Sequence, residues 1–227
     1  MGIIATVNNF FRRDFFSKAR EDFHIQSITS AQMEAWVNEC VNIYKGNPCW
    51  LNPDDHIDSV DFAKSICSEV ARLVTKSVGI TLSGSARADW LQAQMDKIFF
   101  RLRHWVEYGC AYGTIILKPN GEGVDLYLPG EFTVTETENG QIRGAVFYTM
   151  KSDITGEKWY TRMEYHRFEN GQYLVSNRCY IGYEKGSISR PIDISLTPWK
   201  DLAEDVAIVN IDKPLFGVFR TPQAVMK

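Results

Sequence analysis

The chain has 227 residues, of which 44% are hydrophobic and 13% aromatic, and its formal net charge is −3. This composition is typical of a folded protein with an apolar core, and no apolar run approaches the ~20 residues of a membrane-spanning helix. A protein that binds DNA phosphates tightly carries an excess of basic residues, so the charge argues against tight nucleic-acid binding.

The five cysteines show neither a CxxC pair nor the spacing of a zinc site. The first residues lack the basic, apolar and cleavable order of a signal peptide, and residues 1–28 are predicted to be an N-terminal arm. An odd number of cysteines without a secretory signal favours a reducing, cytoplasmic setting. We therefore expect free thiols, no cofactor and no stoichiometric metal.

Between residues 29 and 109 the apolar residues recur with the period of an α-helix. Thr29 is the predicted N-cap of the first helix, with Gln32 completing a capping box. Gly79 and Gly109 are the predicted ends of the second and third helices. The predicted helices are Ser30–Tyr44, Ser59–Val78 and Asp89–Tyr108.

Two stripes on these helices predict which faces are buried and which are solvated. The third helix carries Lys97, Arg101 and His104 at i, i+4 and i+7, opposite its apolar face. A solvated face is the favoured interpretation of this basic stripe, and a subunit or phosphate contact is the alternative. The second helix has an apolar stripe expected to face the core, formed by Val60, Ala63, Cys67, Val70 and Val74.

Three Asn-Gly pairs follow the helices, each between two stretches rich in β-branched and aromatic residues. They are Asn120–Gly121, Asn139–Gly140 and Asn170–Gly171. Both residue types tolerate the positive φ of a type I′ hairpin turn, so the pairs predict a connected antiparallel meander over residues 114–183. Helices followed by antiparallel strands give an α+β fold. The predicted strands are Thr114–Lys118, Val124–Leu128, Phe132–Glu136, Ile142–Met150, Lys158–Phe168 and Gln172–Tyr180.

Few residue clusters suggest chemistry. Arg162, Glu164 and His166 share one face of a predicted strand, where a cross-strand ion-pair ladder is favoured over an acid/base site. The three residues are also candidates for an interface with a partner. The acidic segment Asn52–Asp58 resembles a metal site, but acidic residues before a helix favour its dipole without any metal. Gly109–Gly113 runs from helix to strand, the reverse of the order in a phosphate-binding loop. With no nucleophile beside a base, we expect a protein without enzymatic activity.

Two segments resemble the portal proteins of tailed bacteriophages, of the siphophage type that infects Gram-positive hosts. The first is Glu138–Tyr180 and the second is Trp199–Pro222. The segments Ile66–Gly79 and Trp105–Lys118 match the helical lead-in that precedes them in that family. The resemblance spans roughly residues 30 to 222 and consists of structural residues rather than a catalytic signature.

The resemblance implies a structural subunit of the dodecameric ring at one capsid vertex, through which DNA is packaged and ejected. The implied partners are other portal subunits, the capsid, the terminase and the head-tail connectors. Double-stranded DNA would pass through the channel without tight binding, and no membrane is involved. The implied location is the virion, and the host cytoplasm during assembly. The family's N-terminal half contributes to a peripheral wing of helices and strands, which residues 29–227 are expected to form.

The chain departs from the family after the extended segment 199–222. Portal proteins continue there into stem, clip and crown, which we expect to be absent from what looks like a truncated portal. Without most of the ring interface, the isolated chain should be a monomer or a weak small oligomer rather than a ring. An apolar patch is expected where the stem would pack, at Leu215, Phe216 and Phe219.

A non-catalytic binding module is the alternative function. Trp159, Tyr165, Tyr173 and Tyr180 lie on the predicted sheet and could stack on nucleic-acid bases or on sugars. Stacking platforms for nucleic acids are accompanied by a basic groove, and the nearly neutral meander lacks one. The portal interpretation is therefore favoured.

Overall fold

A computed structural model describes residues 17–52, 54, 60–121 and 123–221. The helices are α1 Ala31–Tyr44, α2 Phe62–Thr75 and α3 Ala86–Tyr112, and residues 17–23 are also helical. The strands are β1 Thr114–Pro119, β2 Val124–Tyr127, β3 Phe132–Glu138, β4 Gln141–Ser152, β5 Trp159–Glu169, β6 Gln172–Gly182, β7 Arg190–Ile192, β8 Asp205–Ile208 and β9 Gly217–Arg220. The predicted α+β fold, with helices before antiparallel strands, is confirmed.

The described chain forms two compact units. The β unit contains residues 17–29 and 130–214, and the helical unit contains the described residues from 30 to 129 together with 215–221. The predicted single domain over 29–227 is therefore divided between two units. The helical unit is discontinuous in sequence because β9 pairs with β1. No local sequence signal marks a pairing between such distant segments.

The helix ends differ from prediction by a few residues. Ser30, not Thr29, is the N-cap of α1, and its hydroxyl accepts from the backbone N–H of Met33 at 3.2 Å. α3 begins after Ser85 and runs past Gly109 to Tyr112, where Gly113 with φ 80° ends it. Within the described ranges, no helix combines the length and apolarity needed to cross a membrane.

Two of the three Asn-Gly pairs form the predicted turns. In the β3–β4 hairpin, Asn139 has φ 50° and Gly140 has φ 76°, and in the β5–β6 hairpin, Asn170 has φ 51° and Gly171 has φ 76°. Positive φ at both positions is the requirement of a type I′ turn. The meander prediction is confirmed for β3 to β6, which lie side by side in one antiparallel sheet with β7 and β8 added along β6.

The first Asn-Gly pair and its hairpin do not belong to this meander. β1 and β2 form a separate three-stranded sheet with β9, in the order β2-β1-β9. Gly121 has φ 89°, but Asn120 has negative φ and its side chain accepts from the backbone N–H of Gly123 at 2.7 Å. The loop is longer than a two-residue type I′ turn, so the prediction of one meander over 114–183 is wrong at its beginning.

The predicted N-terminal arm contributes to the core of the β unit where the structure describes it. Ala19 and Ile25 are buried against Val146, Met163 and Tyr180. The backbone N–H of residue 28 donates to the carbonyl of residue 134 in β3, at 3.1 Å. Residues 17–28 therefore cover one face of the sheet, while residues 1–16 of the arm lie outside the described residues.

Gly109 lies inside α3 where the ring of Phe219 from β9 packs on the helix. A methyl group added at Gly109 would overlap with that ring. The glycine predicted as a helix end is therefore needed for close packing between a helix and a strand.

Substituting Gly109 by alanine tests this packing, because two effects of opposite sign compete. Alanine inside a helix is favoured over glycine by about 1 kcal/mol, whereas overpacking against Phe219 costs about 1–3 kcal/mol. We expect Gly109→Ala to lower the free energy of unfolding in urea, and Gly109→Ala with Phe219→Ala to lose less than the sum of the two single changes. A stabilising Gly109→Ala would contradict the close approach of Phe219.

Candidate functional site

Four polar side chains form a continuous buried row on one face of the meander. Arg162, Glu164 and His166 alternate along β5, and Tyr173 reaches the row from β6. Arg162 Nη2 lies 2.8 Å from Glu164 Oε2, and Glu164 Oε1 lies 2.8 Å from His166 Nε2. His166 Nδ1 lies 2.7 Å from the Tyr173 hydroxyl. We call these four residues the polar row.

The direction of the hydrogen bonds follows from the chemistry of the groups. An ionised carboxylate only accepts, so His166 Nε2 donates to Glu164. The other ring nitrogen, Nδ1, shares a hydrogen bond with the Tyr173 hydroxyl, and the protonation of the imidazole decides which of the two groups donates. Each group in the row thereby has a partner of matching character, and Glu164 joins a guanidinium to an imidazole.

Aromatic side chains surround the polar row. The ring centroid of Phe147 lies 5.2 Å from that of His166, and Phe168 lies 4.8 Å from Tyr173. The Trp199 ring lies 5.4 Å from the Arg162 guanidinium carbon. These contacts leave His166 3% exposed and Tyr173 0% exposed.

This burial decides what the polar row can do chemically. A carboxylate that orients a histidine is also the arrangement that prepares a histidine as a base in hydrolases. Here the hydroxyl at the second nitrogen belongs to a fully buried phenol, which no substrate can approach. A buried charged group is tolerated when it is paired and hydrogen-bonded. Arg162 is paired with Glu164 through Nη2, while its buried Nε has no hydrogen-bond partner in the described part of the chain. The geometry therefore supports a structural role.

The structure differs from the predicted ion-pair ladder in two ways, the strand along which the residues pair and the burial of their side chains. Arg162, Glu164 and His166 pair along one strand, whereas the prediction placed the pairs across neighbouring strands. An interface role would require accessible side chains, and these three are buried in the β unit. Strand alternation places residues on one face but does not indicate what covers that face. Tyr173, the fourth member, was not assigned to this cluster, although its position next to the Asn170–Gly171 turn brings it opposite Phe168.

The basic stripe on α3 lies where the sequence predicted it. Lys97, Arg101 and His104 are all exposed. The structure thus provides an accessible positive surface on the helical unit, which stays a candidate interface.

The predicted apolar patch near the C-terminal end is mostly covered. Leu215 is 38% exposed, but Phe216 is only 7% exposed, and Phe219 packs on Gly109. Because β9 pairs with β1, Phe216 and Phe219 serve the packing of the helical unit. Of the three, Leu215 is the most exposed.

The aromatic side chains proposed for stacking do not form a platform. Tyr173 and Tyr180 are buried, and they point to opposite faces of the sheet because seven residues separate them along β6. Trp159 and Tyr165 are half-buried, and the Tyr165 ring packs against Phe23 at 5.2 Å. This arrangement does not favour the binding-module alternative.

Two other predicted segments carry no site that the structure describes. Of the acidic segment Asn52–Asp58, the ligand candidates Asp55, His56 and Asp58 lie outside the described residues. Among the residues that are described, no three potential ligands come together around a metal position. Gly109–Gly113 is the last turn of α3 and its cap, and it leads into β1.

A second buried polar contact, which the sequence did not indicate, joins α1 to α3. The Tyr44 hydroxyl donates to Glu107 Oε1 at 2.6 Å. Burial and this hydrogen bond to a carboxylate raise the pKa of Tyr44 above its ordinary range, so the phenol keeps its proton. Burial also raises the pKa of the Cys40, Cys67 and Cys110 thiols, which keeps them in the unreactive protonated form.

Two comparisons with known proteins found no relative of this chain. No protein-family model matches the chain, and no curated protein matches it. The functional argument therefore rests on the residues and the geometry described above.

The Tyr173 hydroxyl gives the most direct test of the polar row. Tyr173→Phe leaves His166 Nδ1 buried without its hydrogen-bond partner, and a buried unsatisfied group costs about 1–3 kcal/mol. We expect the free energy of unfolding in urea to fall by that amount. Tyr183, which is exposed, provides the matched control, since Tyr183→Phe should change stability by less than about 0.5 kcal/mol. Equal effects of the two changes would show that the row contributes nothing.

Proposed function

We propose that this protein is a structural subunit of a bacteriophage portal. The portal is the ring at the capsid vertex through which DNA enters and leaves. The observation that carries the proposal is the order of the resembling segments, Glu138–Tyr180 and Trp199–Pro222, within an α+β fold of helices followed by an antiparallel meander. That fold is what the resemblance implies for the wing of a portal subunit.

The chemistry of the buried groups supports a structural role. The best candidate for acid/base chemistry, the polar row, is buried, and its carboxylate, imidazole and phenol are hydrogen-bonded to one another. The Tyr44 phenol and the helix thiols are held in their protonated forms. A subunit that assembles with others needs stable packing more than reactive groups.

The surface of the helical unit supports an assembly role. Large apolar side chains are exposed there, among them Trp50 at 71%, Trp90 at 61% and Phe100 at 87%. Large apolar side chains are also the residues that protein–protein interfaces bury. On the proposed function, neighbouring portal subunits, the capsid and the head-tail connectors are the partners that would cover it, with the virion as the location.

Labelling of virus particles tests the proposal. An antibody raised against the chain would be applied, with a gold conjugate, to tailed particles released by the bacterium that carries the gene. We expect gold at one vertex of each head, where the tail joins, and no gold after absorbing the antibody with purified protein. Gold spread over the shell, gold along the tail, or unlabelled particles would contradict the proposal.

A further inference from the structure

We infer that one face of α3 is the docking surface for an acidic α-helix of a partner protein, one that carries a carboxylate at every third or fourth position. The support is a straight, exposed row of hydrogen-bond donors on that face. The inference goes beyond the proposed function, since it depends on the residues of α3 and not on the resemblance to portal proteins.

The row follows from the spacing of six residues along α3. Successive members are three or four residues apart, which is the spacing that keeps side chains in line on one side of a helix. Each side chain carries at least one N–H donor. From its first member to its last, the row is about 25 Å long, with a donor about every 5 Å. We call it the α3 donor row, and it comprises Arg87, Trp90, Gln94, Lys97, Arg101 and His104.

The α3 donor row is accessible along its length. All of its members are exposed except Gln94, which is half-buried, and Trp90 is 61% exposed. α1 meets α3 beyond the end of the row, where the Tyr44 ring lies 6.2 Å from the Tyr108 ring. α2 contacts α3 on a different side, at Arg103. Neither neighbouring helix covers the row.

No carboxylate lies within the α3 donor row. The two acidic residues between its ends, Asp89 and Asp96, lie about a quarter turn or more away around the helix. Asp96 accepts there from the Gln92 amide at 2.9 Å. Within the row, Lys97 donates to Gln94 at 3.4 Å, which joins two members without adding a negative charge. The face is therefore positive along its whole length.

Another exposed surface of the helical unit is apolar and has no such chemical preference. Val60, Val70 and Val74 were predicted to face the core, but each of them is exposed, whereas Ala71 is buried. An apolar face accepts any apolar surface. The charged donors of α3 instead favour acceptors that carry a negative charge.

Carboxylates on a helix match the geometry of the α3 donor row. A partner helix with Asp or Glu three and four residues apart carries a carboxylate about every 5 Å, which is the spacing of the donors. Two helices that cross at a small angle stay in contact along such a row. Arg87 and Arg101 can each bind a carboxylate with two parallel N–H bonds, and Trp90 adds apolar contact area near one end.

Nucleic acid fits the same row less well. Duplex DNA carries a charge about every 1.7 Å along its axis, which is about three times denser than the donors. Arg87, Lys97 and Arg101 are the cations of the row at pH 7, and the chain as a whole has a net charge of −3. The spacing and the charge therefore favour an acidic helix over a phosphate backbone.

A labelled peptide tests the inference on the full chain. The probe is three repeats of Glu-Ala-Ala-Glu-Ala-Ala-Ala with capped ends, and its binding is followed by fluorescence anisotropy at low ionic strength. Exposed ion pairs are individually weak, so we expect a dissociation constant on the order of tens of micromolar. Binding should weaken at least about fivefold at about 300 mM salt, because salt screens exposed charges.

The same peptide with glutamine in place of glutamate is the control for charge. It should bind at least about tenfold more weakly than the glutamate peptide, because it lacks the carboxylates. Absence of binding by the glutamate peptide, equal binding of the two peptides, or binding that salt does not weaken would each overturn the inference.

Charge reversal on the protein locates the contact. Arg87→Glu and Arg101→Glu should each weaken binding of the glutamate peptide at least about fivefold. Lys76→Glu is the matched control, because Lys76 is exposed, undergoes the same change of charge and lies at the end of α2. It should change the affinity by less than about twofold, since it lies outside the contact.

Circular dichroism should show that the three variants remain folded. Arg87→Gln and Arg101→Gln, which remove the charge without reversing it, take their place if a reversal unfolds the chain. Binding that survives the changes at both arginines, or that Lys76→Glu weakens equally, would place the contact elsewhere and overturn the inference.

Two further probes test the nature of the bound partner. A glutamate peptide with proline in place of its central alanine cannot form a continuous helix, and it should bind more weakly than the parent peptide. A short DNA duplex should also bind more weakly at the same salt concentration. Equal binding of the proline peptide would show that any acidic chain suffices, and tighter binding of DNA would identify a nucleic-acid surface. Either result would overturn the acidic helix as the partner.

Discussion

The pairing of β5 with the strands on either side is the interaction on which the β unit depends. Its 11 residues all pair with β6, and from Trp159 to His166 they also pair with β4. The middle of the strand is covered on both faces, and most of the polar side chains there have partners inside the protein. The polar row is the result on one face, and the packing of Met163 against the N-terminal residues is the result on the other.

Short sequence signals predicted much of the β unit. They did not predict the pairing of strands that are distant in sequence. The turns at Asn139–Gly140 and Asn170–Gly171 fix the register of the hairpins, and both are local dipeptides with a backbone requirement. The pairing of β1 with β9 joins segments separated by about a hundred residues, and no short motif predicts pairing over that distance. Gly109 shows the same limit, because its role appears only once Phe219 has returned to α3.

The sequence predicted that three residues of the polar row share one face, but it did not predict that this face is buried. Alternation along β5 placed Arg162, Glu164 and His166 on one face, as the structure shows. Alternation does not report what lies above that face, and so it could not separate an exposed ladder from a buried row. Burial by Phe147 and Trp199 changes the meaning of the same three residues, from candidate interface to internal support.

The first two helices of the helical unit bury much less of their surface than the central strands of the β unit do. Of the residues in α2, only Ala71 is buried, and α1 has no buried residue. Helices that bury so little of their apolar surface gain little from their own packing, and association with partners would supply the rest.

Native-state hydrogen exchange at low protein concentration tests this contrast most directly. Amides in the middle of β5, from residues 162 to 166, should exchange slowest, at rates set by global unfolding of the β unit. Amides in α2 should exchange much faster, through local opening of a weakly packed helix. Exchange in β5 as fast as that in α2 would show that the meander and its polar row are not the stable centre of the β unit, and would contradict the account.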